Sequence, residues 1–281
     1  MKKILVPTDF SVVAQNAYEY AQQLASLNEE MNITVGHVFM PPLETEYPAS
    51  FPPVTELMGV REKMLIDFIN NHKLQIDQGN VITQLSIENE LLIGFPADEI
   101  VEASKEYDLI IMGMTGENDL IEKIMGSISQ SVSKRAHCPV LLVPKNYPFT
   151  ELNNILYASN YESAEDDMLE QLIAFNQPYQ ATVHFVHVND NVERNYSKTK
   201  TEIFEELFEN GEPTFAFEMD EINATSVREG LINYAGNNNI DLMIMVNHRR
   251  ANFFERLVHK SQTKQMCKHI DRPLMVLHYR N

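Results

Sequence analysis

The sequence predicts an α/β fold built as two tandem doubly wound parallel-sheet domains. Short apolar runs, which suit the buried strands of a parallel sheet, alternate along the chain with longer segments of helical spacing. This alternation implies parallel strands joined by right-handed helical crossovers. The strand-like runs also recur in the same order in the second half, and 281 residues are enough for two domains that each bury a core.

The first half of the chain contains apolar runs that are predicted to be strands. They cover residues 3–7, 33–39, 81–87, 109–112 and 140–143. Helical spacing predicts helices over residues 11–27, 55–72 and 97–106, and a further helix from Ser127 to before Pro139. The first of these helices has an alanine-rich face that can lie close on a sheet. Residues 41–53 are rich in proline and are predicted to form an irregular loop.

The second half repeats the strand pattern of the first. Residues 154–160 echo residues 3–9, residues 183–188 echo residues 35–38, residues 241–245 echo residues 108–112, and residues 273–276 echo residues 139–143. Four matches in the same order indicate an internal duplication. Tyr-Pro-Phe-Thr interrupts the pattern between the repeats, so we predict domains over residues 1–148 and 149–281.

The most informative stretch joins the fourth predicted strand to the fourth predicted helix. The strand stops at Gly113, and Gly113, Gly116, Gly126 and Ser127 have the spacing G-x2-G-x9-G-S. Ser127 and Gln130 match a capping box, so Ser127 is predicted to be the N-cap of the helix. A helix N-terminus offers unpaired N–H groups to an oxyanion, and glycine lets a phosphate approach the backbone. The stretch therefore predicts a phosphate site.

Other interpretations of these glycines remain open. Gly113 and Gly116 are also compatible with a turn that needs positive φ, and Gly126 with the C-cap of a short helix over residues 119–125. The stretch lacks the Gly-Lys-Ser/Thr of a Walker A loop and the compact G-x-G-x-x-G of a dinucleotide fold. Any phosphate would therefore be held without a motif lysine.

These residues resemble the universal stress protein family. Nucleotide-binding members carry G-x2-G-x9-G-Ser/Thr after the fourth strand, which this sequence matches without a gap, and KILVPTD at residues 3–9 is similar to their first strand. The resemblance implies a tandem member with the adenine nucleotide alpha hydrolase-like fold and strand order 3-2-1-4-5. It also implies an intrachain pseudo-dimer with residues 140–143 and 274–277 as edge contacts. A further homodimer is left open.

The resemblance implies that the first and fourth strands are neighbours and end side by side. Doubly wound sheets bind ligands at the carboxyl ends of their strands, so the nucleotide site is predicted there. Asp9 can accept hydrogen bonds from ribose hydroxyls or cap the first helix. The resemblance implies that Pro7, Thr8 and Val38 line an adenine pocket with Met112 at its edge. Without the resemblance, packing at strand ends is the default interpretation of Val38 and Met112. The predicted binding residues are Pro7, Thr8, Asp9, Val38, Met112, Gly113, Thr115, Gly116, Gly126, Ser127, Ile128 and Ser129.

The second half departs from the nucleotide motif. Aligned on the repeat, the motif positions become Val246, Arg249, His259 and Lys260, and Asp9 becomes Asn160. Large side chains thus replace the glycines that would let phosphate touch the backbone, so the second domain is predicted to lack the nucleotide site. The basic residues between positions 248 and 260 are predicted either to bind another anion or to form a solvated patch or a domain contact.

Charge and hydropathy exclude several classes of partner. The net charge of −18 argues against binding to nucleic acid or anionic membranes, because either partner favours a basic face. No apolar stretch approaches the length of a membrane span, and the apolar run after Met1-Lys-Lys is too short for a signal peptide. The sequence therefore predicts a cytoplasmic protein with no nucleic-acid or membrane partner.

Three functions are considered. The first is a stress-response regulator that binds ATP, with or without magnesium, in its first domain and acts through an unidentified protein partner. The second is a slow ATP hydrolase, and the third is an interaction protein that binds no nucleotide. An evolved hydrolase would need a placed base, a P-loop lysine or an arginine near the γ-phosphate, and none is evident, so no catalytic residue is assigned. No metal ligand is assigned, and His37 is predicted to be a hydrogen-bonded core histidine.

Overall fold

The computed structural model describes residues 2–28, 31–42, 52–74, 77–78, 81–82, 85–114, 126–159, 166–189, 214–246 and 271–278. The chain divides into two compact units, Met1–Phe149 and Thr150–Asn281. Each unit contains a parallel sheet and helices that alternate with its strands, so the predicted α/β class is confirmed.

The described part of the first unit contains seven strands and four helices. The strands are β1 (Lys3–Pro7), β2 (Asn32–Phe39), β3 (Asp77–Gln78), β4 (Val81–Ile82), β5 (Ser86–Ile93), β6 (Leu109–Gly113) and β7 (Val140–Val143). The helices are α1 (Val12–Ser26), α2 (Val54–Asn71), α3 (Pro96–Ala103) and α4 (Ser127–Arg135).

The main sheet of the first unit has the order β5-β2-β1-β6-β7, and every neighbouring pair is parallel. Counted in chain order, this is the predicted order 3-2-1-4-5. The order reverses at β1, where Ile4 lies between Ile33 of β2 and Leu109 of β6. These three side chains are fully buried, which explains why the central strands have uninterrupted apolar sequences.

The predicted third strand, residues 81–87, is wrong in position. The third strand of the sheet is β5, whereas Val81–Ile82 pairs antiparallel with Asp77–Gln78 in a separate ribbon. β5 lies at the edge of the sheet and carries Glu88 and Glu90. Charged residues protect an edge strand from pairing with other chains, and they also hide it from a search for apolar runs.

Helix α1 packs on the sheet through its alanine-rich face, where Ala17 and Ala21 are fully buried. Ser11 is its N-cap, and the Ser11 hydroxyl accepts a hydrogen bond from the amide of Ala14 at 3.2 Å. The alternative that Asp9 caps this helix is therefore wrong. Asp9 Oδ1 accepts instead from the amide of Ser11 at 3.1 Å, which stabilises the turn before the helix.

The second unit repeats this architecture. Its strands are β8 (Asn154–Ala158), β9 (Thr182–Asn189), β10 (Phe217–Asn223), β11 (Leu242–Val246) and β12 (Leu274–Leu277), and its described helices are α5 (Asp166–Asn176) and α6 (Val227–Asn237). They form a parallel sheet of order β10-β9-β8-β11-β12. In the part of the chain that the structure describes, no helix combines the length and apolar character needed to cross a membrane.

Candidate functional site

The carboxyl ends of β1, β2 and β6 open into one cavity of the first unit, at the point where the strand order reverses. The cavity has a volume of about 240 Å³. The predicted binding residues that line it are Pro7, Thr8, Asp9, Val38, Met112, Gly113, Gly126, Ser127, Ile128 and Ser129. The remaining predicted residues, Thr115 and Gly116, lie outside the described part of the chain.

The structure adds lining residues that were not among the predicted binding residues. They are Ser11, Ala14, Gly36, His37, Pro96 and Ile100. Gly36 is two residues before Val38 in β2, so the period of a strand could have placed it on the same face. Pro96 and Ile100 come from α3, which follows the edge strand that the sequence places too early, and no pattern indicated that this helix reaches the cavity.

Thr8 is held at the end of β1 by backbone and side-chain hydrogen bonds. Its amide donates to the carbonyl of Gly36 at 2.8 Å, and its hydroxyl accepts from the amide of Phe10 at 3.0 Å. Thr8 is 6% exposed, and Met112 of β6, which also lines the cavity, is 6% exposed. This part of the wall is therefore fixed and mostly apolar, with Pro7 and Val38 completing it.

Asp9 lies exposed at the rim of the cavity, in a sharp turn between β1 and α1. The next residue, Phe10, has φ of 66°, a left-handed conformation that a bulky residue rarely adopts. Its ring packs against the ring of His37, with the centroids 4.4 Å apart, and against Phe68 at 5.8 Å. The aromatic contacts hold the strained turn in place, and the turn sets the position of the Asp9 carboxylate.

Gly113 is required by packing. A Cβ at this position would lie 2.4 Å from Cγ1 and 3.1 Å from the carbonyl oxygen of Val13 in the first turn of α1. Among the described glycines, Gly94 is the one with positive φ, so the interpretation of Gly113 as a positive-φ turn residue is wrong. The close approach of α1 explains the glycine without any ligand.

The first turn of α4 forms one end of the cavity. Its N-cap is Gly126, with φ of −68°, and Ser127 is the first helical residue, so the predicted capping box at Ser127 is wrong by one position. No side chain of the described residues caps this turn. The hydroxyl of Ser129 donates to the carbonyl of Gly113 at 2.8 Å and ties the helix to the end of β6. Ser127 and Ile128 of this first turn are exposed and line the cavity, so the helix start can receive an anion there.

The two serines at the helix starts give a test of these caps. We expect Ser11→Ala to lower the free energy of unfolding by about 1 kcal/mol, since it removes a side-chain cap. Ser127→Ala, the matched control, should change it by less than ~0.5 kcal/mol, because an exposed position without a cap contact contributes little. Urea unfolding of both variants measures the difference. Equal losses would contradict the assignment of Gly126 as the N-cap.

His37 lines the cavity and is tied to the strand beside it. Its Nδ1 donates to the carbonyl of Thr8 at 2.8 Å, so the predicted hydrogen bond is confirmed, but the ring is half-buried at the cavity and does not lie in the core. Burial lowers the pKa of His37 from 6.5, and the charge of Arg61 lowers it further against the opposing effects of the Thr8 carbonyl and Asp9. The same contact recurs in the second unit, between His187 Nδ1 and the carbonyl of Ser159 at 3.0 Å.

The lowered pKa of His37 predicts a pH dependence of stability. The folded protein binds this proton less readily than the unfolded chain, so the contribution of His37 is fully present above pH 6.5 and is lost as the pH falls below that value. We expect wild type to lose more unfolding free energy between pH 7.5 and 5.5 than His37→Gln does. Chemical denaturation at both pH values measures this, and identical pH profiles would contradict it.

The described lining of the cavity contains no lysine or arginine. An anion there would be stabilised by backbone N–H groups, the Ser127 hydroxyl and the positive end of the α4 dipole, since the Ser129 hydroxyl already donates its hydrogen to Gly113. The exposed Asp9 carboxylate opposes a phosphate in its immediate vicinity and favours hydroxyl groups instead. The cavity thus combines an apolar wall, a carboxylate that can accept hydrogen bonds from hydroxyl groups, and a helix start that can receive an anion.

Fold and cavity together define an α/β protein of two doubly wound domains, with a cavity at the switch point of the first. The model of the universal stress protein family matches residues 1–144 and 151–278. Because these two matches span nearly the whole chain, the protein belongs to the universal stress protein family, as a tandem two-domain member. The resemblance seen in the sequence is thereby confirmed.

Individual relatives match different shares of the chain by sequence, from 40% to 98%. Universal stress protein MJ0531 of Methanocaldococcus jannaschii is 33% identical over 150 residues, which cover 51% of this chain and 82% of the relative. Universal stress protein Slr1230 of Synechocystis is 22% identical over 293 residues, which cover 98% of this chain and 99% of the relative. The crystal structure of a universal stress protein from Archaeoglobus fulgidus covers 99% of this chain and 98% of its own, with a TM-score of 0.70 and 16% identity. The last likeness supports the fold alone.

Proposed function

We propose that the first unit binds an adenine nucleotide, ATP with or without magnesium, in the cavity at the ends of β1, β2 and β6. The protein then acts as a nucleotide-dependent stress-response regulator through a protein partner. The observation that carries this proposal is the convergence in one cavity of the motif residues from β6 and α4 with the strand-end residues of β1 and β2. Membership of the universal stress protein family supports it.

Each part of the nucleotide has a chemical counterpart in the lining. The adenine ring suits the apolar wall formed by Pro7, Val38 and Met112. The ribose hydroxyls suit the exposed Asp9 carboxylate, which accepts hydrogen bonds. The phosphates suit the amides at the start of α4, whose N-cap Gly126 adds no Cβ between backbone and ligand.

A regulatory role is favoured over hydrolysis. Phosphoryl transfer depends on cationic groups that neutralise charge on the transferring phosphate, and the described lining has neither lysine nor arginine. Backbone amides and the Ser127 hydroxyl hold a phosphate without favouring its transfer. We therefore expect the bound nucleotide to persist and to change the contacts of the first unit with other proteins.

The proposal is tested by nucleotide release and titration. Protein is denatured, the released small molecules are chromatographed, and stripped protein is titrated with ATP in the presence and absence of magnesium. Gly126→His copies the residue at the aligned position of the second half, His259, and should weaken ATP binding at least ~100-fold, because a side chain then occupies the start of α4. Wild type should bind about one ATP per chain.

Gly236→His is the matched control for this substitution. A Cβ at Gly236 meets nothing within 4 Å, and the residue lies in α6 of the second unit. This variant should bind ATP as wild type does. Failure of wild type to bind ATP would overturn the proposal and leave the interaction-protein interpretation, while two nucleotides per chain would overturn the prediction that the second domain lacks a site.

A further inference from the structure

A second cluster of polar side chains lies in the second unit, where no nucleotide motif is present. His184 of β9 and Glu218 of β10 are register partners on neighbouring parallel strands, and Asp220 follows two residues later on the same face. One donor atom from each of the three side chains lies within 4.8 Å of the other two. His184 is buried, Asp220 is half-buried and Glu218 is exposed, so the cluster reaches from the core to solvent.

The hydrogen bonds around His184 leave its Nδ1 facing oxygen acceptors. Nε2 lies 3.3 Å from Oδ1 of Asn154, and the Asn154 amide nitrogen is directed to the carbonyl of Asn239 at 3.5 Å, which assigns the oxygen to the ring. In a neutral imidazole this contact places the proton on Nε2, and Nδ1 then presents its lone pair. Such an arrangement, in which the second ring nitrogen donates to a fixed acceptor, is the usual support of a metal-binding histidine.

Tyr234 of α6 does not supply the missing proton. Its hydroxyl lies 3.0 Å from His184 Nδ1 and 2.5 Å from Asp220 Oδ2. A hydroxyl has a single hydrogen, and the carboxylate, which can only accept, takes it at the shorter distance. Nδ1 thus faces the lone pairs of the Tyr234 hydroxyl and of Glu218 Oε2, which lies 3.3 Å away. Three electron-rich groups therefore lie close together, and a cation between them would be stabilised.

We infer that His184, Glu218 and Asp220 form a binding site for a divalent transition-metal ion of the Zn²⁺ type. A neutral imidazole and two carboxylates balance the charge of one divalent cation, whereas a proton on His184 would leave one carboxylate uncompensated. The separation of 3.3 Å between Nδ1 and Oε2 matches the roughly 3.3 Å edge of a tetrahedron with bonds of about 2.0 Å. Tyr234 holds Asp220, Asn154 holds His184, and the fourth position is left to water.

Closing the site around a metal ion requires a movement of the Glu218 side chain, which is exposed. Glu218 is 60% exposed, so its carboxylate can close the longer distances of the cluster by rotation about side-chain bonds. His184 has a side-chain exposure of 6% and is fixed by its neighbours, so it provides the rigid ligand. Imidazole together with carboxylate selects Zn²⁺ and its neighbours over Mg²⁺, which prefers oxygen ligands alone.

The test is zinc binding to the full chain and to matched variants. Chelator-treated, desalted protein is titrated with ZnCl₂ by calorimetry, and Co²⁺ is used as a spectroscopic substitute whose visible bands report four-coordination. Glu218→Gln and Asp220→Asn should each weaken zinc binding at least ~10-fold, because each removes a ligand charge with little change of shape. Glu221→Gln, on the same strand but the opposite face, should bind zinc within about twofold of wild type.

Circular dichroism and thermal unfolding of the metal-free variants show that each is folded before titration. Zinc affinity that is unchanged in both Glu218→Gln and Asp220→Asn would overturn the proposal, since any bound zinc would then lie elsewhere in the chain. Absence of zinc binding in wild type, with His184 doubly protonated by NMR at neutral pH, would also overturn it and assign the cluster as an ion pair. Tighter binding of Mg²⁺ than of Zn²⁺ would overturn the choice of ion.

Discussion

Gly113→Ala is expected to lower the free energy of unfolding by about 3 kcal/mol or more, although it adds one methyl group. The new Cβ would lie 2.4 Å from Val13 Cγ1 and 3.1 Å from the Val13 carbonyl oxygen, distances that no rotation of the alanine relieves. Val13 belongs to the first turn of α1 and is 4% exposed, so its buried side chain, together with this turn or β6, must shift. Urea unfolding measures the loss.

Two further variants separate the clash from a general effect of replacing glycine. Gly59→Ala lies in α2, where a Cβ meets nothing within 4 Å, and it should stabilise the protein by up to about 1 kcal/mol through helix propensity. Val13→Ala combined with Gly113→Ala removes the nearer contact, so the double variant should lose less than the sum of the single variants. Additive losses would show that the Val13 side chain is not what Gly113 accommodates.

The fold followed from the sequence because its central strands are buried on both faces. β1 and β6 consist almost entirely of buried apolar residues, and runs of that kind can be recognised without any knowledge of their neighbours. The edge strand β5 could not be recognised in this way. Glu88 and Glu90 are tolerated there because one side of an edge strand has no partner strand, and that reason is apparent only once the sheet order is known.

The start of α4 shows a limit of motif-based prediction. Ser127 and Gln130 have the spacing of a capping box, but Gly126 takes the extended conformation of the N-cap, with ψ of 157°. Serine and glycine are both acceptable caps, so residue preference alone could not decide between neighbouring positions. The motif located the start of α4 to within one residue, and the backbone conformation shows that the N-cap is Gly126.

The cluster of His184, Glu218 and Asp220 in the second unit could not be predicted from the sequence, for a different reason. Strand β10, which carries Glu218 and Asp220, is polar and half exposed, and no repeat of the first half indicated it. Its register against β9 is what places Glu218 beside His184. Tyr234, from the following helix, completes the group. The pairing of β9 with β10 therefore brings the residues of this site together. Pairing between strands leaves little trace in a single sequence.

Phe68→Ala is expected to weaken both the fold of the first unit and the nucleotide site. The Phe68 ring is 7% exposed and contacts Phe10, Tyr18 and His72, with centroids 5.8, 5.8 and 5.0 Å away. Truncation of Phe68 should lower the free energy of unfolding by about 3 kcal/mol. This loss is at the lower end for a phenylalanine because part of the ring reaches solvent. Urea unfolding measures this loss. Without the Phe68 ring, the strained turn at Phe10 also loses an aromatic contact that supports it.

The loss of the Phe68 contact is also expected to change the nucleotide-binding cavity of the first unit. Phe10 lies between Phe68 and His37 and directly follows Asp9, so a relaxed turn displaces the carboxylate proposed to hold ribose. ATP affinity of Phe68→Ala, measured at a temperature where the variant is fully folded, should fall about 10-fold, whereas Phe68→Leu, which keeps most of the volume, should stay within about threefold of wild type. A stability loss with ATP affinity intact would mean that the β1–α1 turn keeps its geometry without the aromatic contact, and that its strain is borne by the hydrogen bonds of Thr8 and Asp9 instead.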